Sequence, residues 1–91
     1  MAYINFEQFW NYYKGSTRKD YSEYRRQFGD AYSESRQECG IDIYPSTATI
    51  SKHKKELFAK MKVHMLSYGV PSAAVTHLLD HFKKWFHEMY E

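Results

Sequence analysis

The sequence predicts an all-α fold: a small three- to four-helix domain with a C-terminal helical hairpin and an aromatic-rich core. Three observations lead there. Apolar residues recur at helical spacing over most of the chain. Capping residues and glycines punctuate those stretches. Nine Tyr, six Phe and two Trp supply large apolar area to a chain of only 91 residues.

The first helix is expected from about Asn5 to Lys14. Asn5 and Gln8 have capping-box spacing. Phe6, Phe9, Trp10 and Tyr13 follow at i, i+3, i+4 and i+7, and Gly15 is expected to close the helix in the left-handed region. A second helix is expected from Asp20 to Glu38, opened by Asp20 and Glu23 and closed by Gly40. Its stripe is Tyr21, Tyr24, Phe28 and Tyr32 or Ala31, and Gly29 marks a potential break. Ile41 to Pro45 alternates, and Pro45 pushes Tyr44 toward extended geometry. A packed, extended connector is expected there.

The third helix begins at Ser46 or Ser51 and ends at Tyr68, with Ile50, Leu57, Phe58, Met61, Met65 and Tyr68 on one face. The fourth begins at Ser72, whose hydroxyl is expected to cap it. It carries the strongest stripe: Val75, Leu78, Leu79, Phe82, Trp85, Phe86 and Met89. The short joint Tyr68-Gly69-Val70-Pro71-Ser72 makes these two helices neighbours. The expected core centres on Phe6, Phe9, Trp10, Phe28, Leu57, Phe58, Met61, Leu78, Leu79, Phe82 and Phe86.

Residues 1–91 read as one domain. Cys39 stands alone, which excludes a disulfide framework within the chain and Cys-rich zinc patterns. No run reaches the ~18 apolar residues of a membrane span. The first residues lack the charged and apolar regions of a signal peptide, so a cytoplasmic location is expected.

Net charge is +2, but it is blocky. Lys14 to Arg26 holds five basic and two acidic residues, Gln27 to Ser51 one and four, and Lys52 to Lys62 five Lys against Glu56. Such blocks suit phosphates or an acidic protein surface, and equally serve as solvated helix faces. The first block interleaves Tyr with Lys and Arg, a composition shared by interface hot spots and base-stacking surfaces. Tyr12, Arg18, Arg25 and Arg26, with Lys52, Lys54 and Lys55, are the expected partner contacts.

From Met65 the chain reads Met-Leu-Ser-Tyr-Gly-Val-Pro-Ser-Ala-Ala-Val-Thr-His-Leu-Leu. Over about twenty residues this resembles the helix-turn-helix family. Gly69, Val70, Val75 and Leu78 fall on its turn and clamp positions. The resemblance implies a recognition helix over Ser72 to His81, with Ser72, Thr76, His77, Lys83 and Lys84 toward DNA. Met65 stands where the family carries a small residue. Ala73, Thr76, His77 and Asp80 lack the Arg, Asn and Gln types that read bases bidentately.

No catalytic motif, Gly-rich phosphate loop or cofactor signature occurs. His77 and His81 share i, i+4 spacing, but Leu78 occupies the place a metalloprotease motif gives to Glu. No metal or cofactor is expected. The leading expectation is a non-enzymatic protein-binding module: a regulator, adaptor or inhibitor with an acidic partner. In size and composition it resembles small accessory proteins of phages and mobile elements, which act on nucleic-acid-processing complexes. The helix-turn-helix DNA binder is the alternative. A homo-oligomer through the last turn, Trp85 to Tyr90, is compatible with either.

Overall fold

A computed structural model describes residues 4–91. Its elements are α1 (Phe6–Ser16), a short 3-10 turn (Ser22–Tyr24), α2 (Arg25–Glu38), α3 (Thr47–Ser67) and α4 (Ser72–Tyr90). The all-α expectation holds, with four helices around an aromatic core.

Asn5 opens α1 by accepting from Glu7 N at 3.0 Å and Gln8 N at 3.3 Å. The helix does not stop at Gly15. It runs to Ser16, whose hydroxyl donates to the Tyr12 carbonyl at 2.8 Å, and Thr17 leaves in extended geometry. Competition for a helical carbonyl, rather than a left-handed glycine, ends the element. Asp20 does not start α2. Its carboxylate accepts from Ser22 N at 2.8 Å and nucleates the 3-10 turn, so the α-helix begins five residues later at Arg25. Gly29 causes no break, because α2 is continuous through it.

Two glycines close helices in the same way. Gly40 has φ 70° and Gly69 φ 89°. After α2, Gly40 N donates to Gln37 O and Ile41 N to Arg36 O, both at 3.0 Å. After α3, Gly69 N donates to Leu66 O and Val70 N to Met65 O, both at 3.1 Å. Each is a Schellman motif, and each buries the apolar residue after the glycine, Ile41 or Val70. The connector beyond Ile41 leaves Ile43 and Tyr44 exposed. Ser46 then caps α3 by accepting from Thr49 N. Ser72 does not cap α4. Pro71 holds the cap position and Ser72 is the first helical residue, exposed. The Val70–Pro71 bond is trans.

Helix α2 lies along α3, α3 pairs with α4, and α1 returns against α4. Phe82 is where they meet. Its ring lies 5.7 Å from Phe6 and 5.2 Å from Phe9 of α1, 5.3 Å from Phe28 of α2 and 5.5 Å from Phe58 of α3. Every expected core residue is buried, apart from Phe6, which is partly covered. Met89 departs from the expected stripe and points to solvent.

Candidate interaction surfaces

Arg18 and Lys54, one from each basic block, lie near opposite ends of α4. At one end, Thr17 and the loop carrying Arg18 pack on His77 near the start of α4. At the other, Lys54 of α3 meets Glu91 just past its end. Those places are about 20 Å apart along the helix axis at 1.5 Å per residue. Those two parts of the basic blocks therefore lie apart.

Arg18, Arg25 and Arg26 of the first block are exposed, and none has a carboxylate within 4 Å among the described residues. Arg25 lies over the Trp10 ring, its guanidinium carbon 5.4 Å from the ring centre, within cation–π range. Tyr12 is half-buried against the core, which leaves part of its ring outward.

At the second end, α3 and α4 leave a groove of about 410 Å³ between them. Phe58 and Ala59 from α3 and Leu79 and Phe86 from α4 form its floor. Lys54, Lys55 and Lys62 line one side, and Lys83 and His87 the other. Lys83 Nζ sits 5.9 Å above the Phe58 ring. Of these lysines only Lys54 is paired among the described residues. It donates to both carboxylate oxygens of Glu91, at 2.7 and 2.8 Å, and Ser51 Oγ donates to the same group. Those bonds hold the Glu91 carboxyl down to about 2. Lys52 is exposed and lies outside the groove, on the first turns of α3.

The α4 face offered by the helix-turn-helix resemblance is mixed. Ser72, Thr76, Asp80, Lys83 and Lys84 are exposed. His77 is not free to read a base. Its Nδ1 is 3.0 Å from Tyr13 Oη and its Nε2 3.0 Å from Thr17 Oγ1. Both hydroxyls also reach the Lys19 carbonyl, Thr17 Oγ1 at 2.8 Å and Tyr13 Oη at 3.3 Å, so both ring nitrogens of His77 are engaged whichever of them carries the proton. Tyr21 N donates to Tyr13 Oη at 3.0 Å. Burial, and then the neighbouring His81, push the His77 pKa down, consistent with a neutral ring. His81 directs Nδ1 to the His77 carbonyl at 2.8 Å. Among the described residues, no three His, Cys, Asp or Glu side chains are placed to hold a metal ion.

Three features escaped sequence reasoning. Arg36 is buried and donates to the Ile41 carbonyl at 2.7 Å, tying the Gly40 turn to α2. His64 of α3 sits between two α2 carboxylates, 3.1 Å from Glu34 and bonded to Glu38. Glu91 reaches back over α3. The His64 and Glu91 contacts join residues far apart in sequence, so no local pattern marks them, and the burial of Arg36 depends on what packs over the Gly40 turn.

The chain matches no family model, and no curated protein or solved structure is significantly similar to it. None of the described helices is long and apolar enough to cross a membrane.

Proposed function

We propose that this chain is a non-enzymatic protein-binding module, a small regulator, adaptor or inhibitor whose partner presents an acidic surface. The observation that carries this reading is the lysine rim of the groove between α3 and α4, where Lys55, Lys62 and Lys83 have no ion-pair partner among the described residues, beside the apolar Phe58, Ala59 and Leu79. Unpaired cations beside apolar surface favour a partner that supplies both carboxylates and side chains to bury. The exposed Arg18 and Arg26, with Arg25 over the Trp10 ring, offer further contacts away from that groove. A target within a nucleic-acid-processing complex suits both basic surfaces, as in the phage and mobile-element accessory proteins that the chain resembles in size and composition.

The test is affinity capture from nuclease-treated lysate of the encoding cell, with the native chain beside Lys52→Glu/Lys55→Glu. One protein held stoichiometrically by the native chain and lost by the variant is the expected result. Retention of nucleic acid alone before nuclease, and of nothing after it, would overturn the reading.

The second reading is a DNA binder using α4, favoured by the exposure of Ser72, Thr76, Lys83 and Lys84 along that helix. It requires affinity for duplex DNA that falls by about one log unit per log unit of salt for each phosphate neutralised. Absence of binding to generic duplex at low salt removes it.

A further inference from the structure

We propose that the α3/α4 groove receives an amphipathic helix of the partner, with its apolar stripe on the Phe58–Leu79 floor and acidic residues along both flanks. This rests on the protein-binding reading and specifies its site and its ligand.

The floor comes from two neighbouring helices, and Ala59, on α3 between Lys55 and Lys62, is its exposed residue. A methyl there lets a third helix approach closely, and seating an apolar stripe between two helices is a common mode of recognition. The rim fixes the charge of the occupant. Lys55 and Lys62 are one heptad apart on α3, or about 10 Å along the axis. That is the distance between carboxylates at i and i+7 of a facing helix. Lys83 stands on the opposite wall, so the occupant is acidic on both sides of its stripe. None of these three lysines has an ion-pair partner among the described residues.

The groove already holds one carboxylate. Glu91 lies at its end, on Lys54 and Ser51, which shows the chemistry that end accepts. A fatty acid would match the apolar floor but would bring one carboxylate to a rim of separated cations. A helix with two acidic flanks matches all of them.

The probe is a fluorescein-labelled helical peptide of about 18 residues, with Leu at heptad a and d positions and Glu flanking them. Its twin carries Lys at the flanks, and dodecanoate and a generic DNA duplex complete the set. Anisotropy reads affinity, and amide NMR of the full chain reads location. The Glu peptide is expected to bind, to shift Phe58, Ala59 and Leu79 resonances, and to weaken with salt. Lys55→Glu/Lys62→Glu should weaken it about tenfold or more, and Ala59→Arg should do the same by filling the groove. These positions are exposed, and an unchanged thermal midpoint confirms that each variant folds.

Equal binding of the two peptides overturns the proposal. So does dodecanoate shifting Ala59 where the Glu peptide does not. Glu-peptide shifts confined to Arg18, Arg25 and Arg26 overturn the groove and leave the protein-binding reading standing. Duplex binding with both peptides inert overturns both.

Discussion

His77 illustrates how one side chain can belong to a motif by sequence and to the core by structure. Its spacing from Gly69 fits a reading helix, yet Tyr13 and Thr17 occupy both its ring nitrogens. Those partners lie some 60 residues upstream, beyond the reach of any local pattern. The pH consequence follows from the depressed pKa. The unfolded chain takes up a proton near the ordinary value of ~6.5, before the folded one does. Stability from this group is full above that value and falls as pH drops through the lower folded value. Urea midpoints of the native chain should therefore decline below about pH 6.5 more steeply than those of His77→Gln. Parallel curves would contradict the assignment. Arg36 has the opposite character: a buried cation whose stem and guanidinium close the turn onto Ile41. Arg36→Met keeps the stem and leaves that carbonyl unmatched, at a cost of about 1.5–3 kcal/mol by denaturant unfolding.

At the scale of the element, the four glycines separate into two kinds that the sequence alone does not distinguish. Gly29 lies inside α2, and a methyl added there meets no atom within 4 Å. Gly29→Ala should raise stability by about 0.5–1 kcal/mol through lost unfolded-state freedom. Gly40 and Gly69 have room for a methyl too, but their positive φ opposes any L side chain. Gly40→Ala and Gly69→Ala should each cost about 1–2 kcal/mol. Equilibrium urea unfolding of the three variants gives the signs, and a destabilised Gly29→Ala would refute an unbroken α2. Gly40 and Gly69 use identical hydrogen bonds, although only the second lies in a helix-turn-helix-like stretch. The match at Gly69 and Val70 therefore has a sufficient cause in helix termination. Helix number, stripes and both left-handed stops were legible because each depends on spacing within one element. The start of α2 was not, because Asp20 has capping chemistry but opens a 3-10 turn instead; α4 begins at Ser72 as expected, yet without a cap from the Ser72 hydroxyl. The lysines of α3 were legible as charge, whereas the groove needed α4 beside them.

For the whole molecule, the main structural dependence is on Phe82, whose ring meets rings from every other helix. Phe82→Ala should cost about 3–5 kcal/mol. A domain of this size holds roughly 5–14 kcal/mol in total. Calorimetry should therefore show a large fall in the midpoint, with loss of near-ultraviolet signal from the aromatic cluster. Charge is organised at the same scale, with the Arg18 loop packed at the start of α4 and the lysine-lined groove running beside α4 to Glu91. A small net charge conceals two separate fields. The meeting of Phe9 and Phe82 also bears on how the chain is made. Their rings are 5.2 Å apart, yet roughly 70 residues of synthesis separate them, some 4–15 s at ribosomal rates. Helix α1 therefore waits for its α4 cover, packed in the meantime against Phe28 and Tyr32 of α2. A nascent chain arrested at Ser67 should therefore recruit a chaperone that one in which α4 has fully emerged does not.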